Sequence, residues 1–469
     1  MKLFVTFLGA AALTACVSLP GHAPRPAIEP QTSFASQQAF AAPAGEWPAH
    51  GWWKIYGDAQ LDALIDEGLA GSPSIAVADA RLARARSYQD SARGALAPQL
   101  SGSLGLTEQK QSYNYLSPAA MTPHGWNDYG RSSLDISWEL DFWGKNRAAL
   151  AAATSDAVAA SADADQARLA LSTAIASGYA ELAREYAALD TAIAARDLRS
   201  KTAELFSKRF TNGLETKGGL RQAESRRAGS EAEVLSLEEQ IALQKNKLAA
   251  LLGSGPDRGL TIARPEVSFT RAFTLPATLS AELIGRRPDL VAARLRAEAA
   301  AKRIHVTQAQ FYPNVNLSGF IGVQALGLDM LKEDGSGIGS IGPAITLPIF
   351  NGGRLRAQLR GAEAEYAEAV ANYEKTLVQA LQEVADAAVS QRALTPQIER
   401  IDVAVEAARE AWRVQNDRYE GGLANYLEVL SAEDYLLTNL RTQTDLQSRS
   451  MTLDVALTKA LGGGYTFTN

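Results

Sequence analysis

Two hydrophobic rhythms alternate along the chain. From Asp58, the residues Leu61, Leu64, Ile65 and Leu69 recur at helical spacing, the pattern is interrupted at Ser72-Pro73, and it resumes over 76–96. Pro98 ends it, because proline removes a donor and disfavours helix in the residue before it. Period two then takes over. Leu100, Gly102, Leu104 and Leu106 alternate with Ser101, Ser103, Gly105 and Thr107, and Ile136, Trp138, Leu140 and Phe142 alternate with Asp135, Ser137, Glu139 and Asp141. This predicts a strand pair over about 99–143 with one dry and one wet face, closed by Gly144. A helix-like stretch follows from Lys145 to about Phe210, on the order of 100 Å if unbroken. Its alanine-rich, proline-free start favours helix and close helix–helix approach. Its length, far above that of ordinary globular helices, points to a coiled-coil-like assembly. The return limb, Leu220 to Leu252, carries Val234, Leu237, Ile241, Leu248 and Leu251 at heptad-compatible spacing and stops at Gly253-Ser254-Gly255-Pro256.

The same programme then repeats. Residues 253–278 form a loop-rich segment, and a helix runs from Leu279 to Phe311-Tyr312-Pro313, with Pro313 standing where Pro98 stood. Val315, Leu317, Ile321 and Val323 alternate with Asn316, Ser318, Gly322 and Gln324, and Ile345, Leu347 and Ile349 follow a polar tip, giving a second hairpin over about 314–350. A second long helix leads to a turn at 418, and a last limb runs from Tyr426 to Leu461 through Leu430, Leu437 and Met451. The helical turns repeat in detail. Arg209-Phe210-Thr211-Asn212-Gly213-Leu214 matches Arg418-Tyr419-Glu420-Gly421-Gly422-Leu423, and Ala223-Glu224 falls in register with Ala432-Glu433. Glycine tolerates the positive φ that ends one helix and starts its antiparallel neighbour. The period is roughly 210 residues. The expected organisation is a leader over 1–15, an extended tether over 16–50, a first repeat over 51–278, a second over 279–462, and a tail over 463–469.

Composition narrows the function classes. A net charge of −6 calls for no nucleic-acid partner. The four histidines show no metal-ligand spacing, and one cysteine allows neither an intramolecular disulfide nor a cysteine zinc cluster. No Ser/His/Asp order or phosphate loop emerges, and Gly335-Ser336-Gly337-Ile338-Gly339 lacks the strand-then-helix context of a dinucleotide site. An enzyme is therefore not expected, and no cofactor is implied. The single cysteine is informative by position: Lys2, an apolar run from Leu3 to Leu13, and Leu13-Thr14-Ala15-Cys16 describe a secretory leader. The tetrapeptide resembles a bacterial lipoprotein box. That resemblance implies a lipid on Cys16 and, with Val17 in place of a retention aspartate, sorting to the outer membrane.

Beyond the leader no apolar run is long enough for a transmembrane helix, so a membrane-embedded part must be β. Four strands cannot close a membrane barrel, and an open sheet in lipid leaves unpaired backbone edges. Either the strands form a small soluble sheet, on a lipid-anchored coiled-coil scaffold without a pore, or several chains pool them. Strand length, the apolar faces and the nearby aromatics Trp126, Tyr129, Trp138, Phe142 and Trp143 favour a shared barrel.

With these features the chain resembles the outer-membrane efflux protein family, the TolC and OprM type, and within it the lipidated NodT-like subset. The carriers are the lipoprotein box, the duplicated half, the Pro98 and Pro313 junctions, the hairpin ends Trp138-Glu139-Leu140-Asp141-Phe142 and Pro348-Ile349-Phe350-Asn351-Gly352-Gly353, and the repeated Arg-aromatic turns. The resemblance implies a mainly α fold with a small β part: a long α-helical barrel joined to a trans-outer-membrane β-barrel shared by three chains. It implies a homotrimer, a periplasmic adaptor protein, an inner-membrane pump of the RND type, and outer-membrane lipid as partners. Small molecules such as drugs are the expected cargo, with protein secretion and metal-ion export as alternatives. The turns at 209–220 and 418–426 would lie at the periplasmic tip, with Gly213, Leu214, Gly422 and Leu423 meeting the adaptor. Arg418, Tyr419, Arg209 and Phe210 are candidates for closing contacts, against a local capping role for the arginines. Glu428, one per chain, would form a carboxylate ring that selects for cations, against a solvated helix-face glutamate. Ser431 and Ala424 depart from the family's usual charged residues there.

Overall fold

The computed structural model describes residues 26–27, 34–35, 38–114, 118–266 and 273–467. Cys16, the expected lipidation site, lies outside them. The chain divides into two units, one containing 82–160 and 293–373 and the other containing 161–292 and 374–469 together with the described residues of 29–81. In chain order the elements are β1 (Ala44–Gly45), α1 (Ala59–Gly71), α2 (Pro73–Gly94), β2 (Gln99–Gln109), β3 (Asn127–Glu139), α3 (Lys145–Thr211), α4 (Lys217–Leu251), α5 (Asp257–Leu260), β4 (Leu275–Pro276), α6 (Leu279–Arg286), α7 (Pro288–Ala309), β5 (Asn314–Leu326), β6 (Gly337–Thr346), α8 (Arg354–Glu420) and α9 (Tyr426–Ala460).

The helices repeat in length as well as in order. α2 and α7 have 22 residues each, α3 and α8 have 67, and α4 and α9 have 35. One shift of 209 residues carries Lys145 onto Arg354 and Lys217 onto Tyr426. The turns close alike. Leu214 N–H donates to the Arg209 carbonyl at 2.8 Å and Leu423 N–H to the Arg418 carbonyl at 2.7 Å, with Gly213 and Gly422 at φ 76° and 75°. This is the six-to-one bond of a Schellman ending, whose positive φ favours glycine.

The structure departs from the sequence reading in three places, two of them with a clear local cause. The helix expected from Leu279 is two helices, because Arg287 precedes Pro288 and adopts an extended conformation, φ −109° and ψ 120°. Leu140 and Phe142 continue the alternation but lie beyond β3, since the Asp141 carboxylate accepts the backbone N–H groups of Asn146 and Arg147 and so begins α3. Leu347 and Ile349 likewise lie beyond β6. α8 also runs through Pro396 without ending.

In the first unit, β2, β3, β5 and β6 form one antiparallel sheet in that order. The seam between the two hairpins is β3–β5, where a Cβ on Gly322 would collide with the Ser132 carbonyl, so glycine permits the pairing. One face is polar: Ser133 donates to Asp135 at 2.9 Å and bonds Ser103 at 2.8 Å. The opposite face carries Leu100, Leu104, Leu134, Ile321, Ile341 and Ile345, each more than half exposed within the single chain.

In the second unit, Leu61, Leu64 and Ile65 of α1 pack on Ile175, Tyr179 and Leu182 of α3 and on Leu248 of α4, all fully buried or nearly so. β1 pairs in parallel with β4 at Ala44–Leu275. The start of α1 is tied to this core by Asp58. Its carboxylate accepts from the N–H groups of Gln60 and Leu61 at 2.8 and 3.0 Å and from the Tyr179 hydroxyl at 2.8 Å. Asp58→Ala is therefore expected to destabilise the unit by about 1–2 kcal/mol. Asp58→Asn, which keeps the cap, should cost less. Thermal unfolding of the two variants measures the difference.

Candidate functional site: the paired helical turns

Two helical turns meet in the second unit because each is capped on both sides. Thr216 opens α4 by accepting the Gly219 N–H at 3.0 Å, and Asn425 opens α9 by accepting the Glu428 N–H at 3.2 Å. With both turns fixed, an aromatic cluster forms between the hairpins. Phe206 and Tyr419 stack with centroids 5.5 Å apart, and Tyr426 meets Phe206 edge-on at 5.3 Å. The Arg209 guanidinium lies 4.5 Å from the Tyr419 ring centroid. The Tyr419 hydroxyl donates to Glu215 at 2.8 Å, and the Tyr426 hydroxyl donates to Gln222 at 2.6 Å. Tyr419 is buried, and burial together with the Glu215 carboxylate raises its phenol well above the ordinary range. It thus sits in a socket built from Ala203, Phe206 and Ala223 of the first hairpin and from Val429, Ala424 and Tyr426 of its own.

The remaining candidates are placed differently. Arg418 is half exposed, bonds Gln415 and the Leu423 carbonyl, and approaches Glu428 at 3.7 Å. Glu428 also accepts from the Asn425 side chain at 3.0 Å, so it belongs to a reciprocal cap at the start of α9. Phe210 is 40% exposed and stands outside the buried cluster; the aromatic that fills it is Phe206, one turn earlier. Gly213 and Gly422 carry the positive-φ turns, and Leu214 and Leu423 beside them are largely exposed. The structure therefore joins Arg209 with Tyr419, and Arg418 with Glu428.

Sequence reading missed Phe206, Glu215, Gln222 and the packing role of Tyr426. Phe206 precedes Phe210 by four residues, a spacing that shares a helix face, so the core side of that face was the available signal. It also missed an ionic layer behind the aromatics. Arg199 and Arg226 both bond Asp434, at 3.1 and 2.7 Å, and Arg226 reaches the Leu430 carbonyl at 3.3 Å. Glu433, fully buried, accepts from the Thr202 hydroxyl at 3.1 Å and lies 3.5 Å from Arg199 Nε. Its repeat partner Glu224 instead pairs locally with Arg221. Among the described residues no His/Cys/Asp/Glu group is arranged to hold a metal, and no helix is long and apolar enough to cross a membrane.

What this arrangement can do is hold two helical hairpins together through contacts that are few, specific and mostly polar. Burial raises the Glu433 carboxyl above its ordinary value of 4.5, with Asp434 adding to it, while Thr202, Arg199 and Arg226 pull it down. A carboxyl raised in the folded state binds its proton more tightly there. Its contribution is complete below 4.5 and is lost as pH rises through the folded value. Hydrogen exchange of 199–226 and 426–441, corrected for intrinsic rates, should therefore quicken as pH rises from 4.5 in the native protein. It should stay flat in Glu433→Gln.

The comparisons with known proteins cover nearly the whole chain. The family model described as outer membrane efflux protein matches residues 64–254 and 279–463. The fusaric acid resistance protein FusA of Burkholderia cepacia is 39% identical over 75% of this chain and 67% of its own length. The multidrug resistance outer membrane protein MdtP of Shigella flexneri is 31% identical over 94% of this chain and 92% of its own. Among solved structures, the outer membrane protein VceC of Vibrio cholerae superposes with a TM-score of 0.85 at 51% identity, covering 89% of this chain and 100% of that one. The outer-membrane channel OprN does so with a TM-score of 0.85 at 26% identity, covering 95% and 99%.

Proposed function

The chain belongs to the outer membrane efflux protein family, and from that premise we propose that it is the gated outer-membrane conduit of a tripartite pump. It is a transport protein and not an enzyme. In the proposed assembly three copies pool their strands into one twelve-stranded barrel, and their long helices line a periplasmic tunnel. A periplasmic adaptor docks at the turns around Gly213, Leu214, Gly422 and Leu423, and an RND-type pump in the inner membrane selects the cargo. Small drug-like molecules are the proposed cargo, in keeping with the multidrug and fusaric acid resistance named for the relatives. A lipid on Cys16 is proposed as an additional anchor.

The observation that carries this reading is the four-stranded sheet. Its apolar face is exposed within one chain, and its outer strands β2 and β6 have no further partner among the described residues. In lipid each unpaired backbone group costs several kcal/mol, so the sheet must be completed by other chains. The detergent-solubilised particle viewed by electron microscopy tests this. A three-fold tube with a short belted barrel at one end is expected, and a monomeric rod without a lumen sinks the proposal.

For the gate, Tyr419 and Arg418 are proposed to hold the resting tunnel narrow, with Glu428 contributing a three-carboxylate ring. Planar-bilayer recordings should show higher resting conductance in Arg418→Ser with Tyr419→Ala than in the native protein. In the same bilayers Glu428→Ala should lose cation preference. Unchanged conductance or unchanged selectivity removes the corresponding role.

A further inference from the structure

The internal repeat supplies its own control at the starts of the two longest helices. Ahead of α3, Glu139 meets Lys145 at 2.6 Å and Asp141 meets Arg147 at 3.2 Å, so both cations are neutralised within the chain. The 209-residue shift places Arg354 on Lys145 and Arg356 on Arg147. The carboxylates have not been kept. Pro348 stands at the position of Glu139, and Phe350 at that of Asp141.

The second copy is left with cations that the fold does not balance. Arg354 bonds only Gln358, at 3.3 Å, and none of Arg354, Arg356 and Arg360 has a carboxylate partner among the described residues. All three are exposed, and the first turn of α8 contains no acid. Arg356 and Arg360, four residues apart, share a helix face and repel each other, and cations at a helix start oppose its dipole. Such an arrangement is unfavourable unless an anion from outside the chain meets it. Beside these cations Ile349 and Phe350 are 85% and 91% exposed, the highest values of any large apolar side chain among the described residues. A cleft of about 210 Å³ runs between Phe311, Pro348, Phe350, Leu355 and Arg356.

We infer that this patch binds an anionic phospholipid, with Arg356 and Arg360 holding the phosphate headgroup and Ile349 and Phe350 lying against the acyl chains. Charge complementarity selects an anionic head. Continuity selects a lipid: Ile341, Ile345 and Ile349 are all strongly exposed and follow one another at four-residue intervals out of β6 towards the arginines. The inference rests on the channel reading, which puts the apolar face of the sheet in the outer membrane. The first repeat, with its cations already paired, has no such demand for lipid charge.

Native mass spectrometry of the full purified chain, exchanged into detergent with phosphatidylglycerol or phosphatidylcholine, tests the inference. Each arginine near an anionic lipid is expected to contribute about fivefold, so the native protein should retain phosphatidylglycerol at least about tenfold better. Arg356→Gln with Arg360→Gln should lose that preference at unchanged oligomer mass and thermal midpoint, whereas the double Arg→Lys variant should keep it. Phe350→Ser should weaken retention of both lipids. Equal retention of the two lipids by the native protein, or a preference that survives Arg356→Gln with Arg360→Gln, overturns the inference. If the Gln variant changes the oligomer mass, the patch is a contact with a second copy and the lipid assignment fails. Electron microscopy of the same preparation separates the two levels: a three-fold tube without lipid preference sinks this inference alone, and a monomeric rod without a lumen removes the channel reading beneath it.

Discussion

An open β-sheet cannot stand in hydrocarbon, and the rest of the molecule answers to that constraint. Each edge of a four-stranded sheet exposes backbone donors and acceptors that water satisfies and lipid does not. The order β2-β3-β5-β6 joins the two hairpins into one continuous ribbon, so a single chain has two edges to cover and not four. The seam depends on backbone approach at Gly322, where no side chain fits. The polar face, with Ser103, Ser133 and Asp135 bonded to one another, suits a wet interior, while the leucines and isoleucines opposite have nothing among the described residues to bury them. A sheet built this way is a fraction of a barrel. Membership of the efflux family and the superposition on VceC agree with that geometry.

The helical part solves a different problem. Helices of 67 residues need support along their whole length, because local propensity alone does not fix so long an element in place. Buried residues are spaced along both helices, among them Ala152, Leu182 and Phe206 on α3 and Leu359, Tyr373 and Leu394 on α8, and α8 continues through Pro396 although an interior proline costs about 3 kcal/mol. At the turns the contacts change character. The aromatic socket of Tyr419 and the ionic layer of Arg199, Arg226, Glu433 and Asp434 are directional, and a directional contact has a defined broken state. That is the property the proposed gate would use.

Much of this was legible in the sequence, and the limits have physical causes. Period changes at Pro98 and Pro313 located both hairpins, and the Arg-aromatic-glycine turns located both helix reversals, because prolines and positive-φ glycines act locally. The exact ends of β3 and β6 were not legible, since alternation continues through Leu140 and Ile349 after the ladder has stopped. After β3 the Asp141 side chain caps the next helix, and periodicity does not record that. At the turns, the sequence pointed to Phe210 although Phe206 fills the socket. The repeated motif supplies Arg209 and Tyr419 to the contact between the hairpins, while its other partners, Phe206, Glu215 and Gln222, lie at positions the two copies do not share.

That difference between copies is the more general guide to this chain. Where the repeats agree, as in the paired helix lengths and the Schellman endings, the common residues serve the scaffold. Where they diverge, one copy has been released from it. Glu433 is buried against Arg199 while Glu224 pairs at the surface with Arg221, so only one of two equivalent glutamates ties the hairpins together. Lys145 and Arg147 are neutralised by Glu139 and Asp141, while Arg354 and Arg356 face Pro348 and Phe350. A duplication fixes two sites with the same backbone and leaves each free to acquire its own chemistry. The residues that break the symmetry are therefore where interactions outside the repeat should be sought: the neighbouring hairpin for Glu433, and the membrane for Arg356.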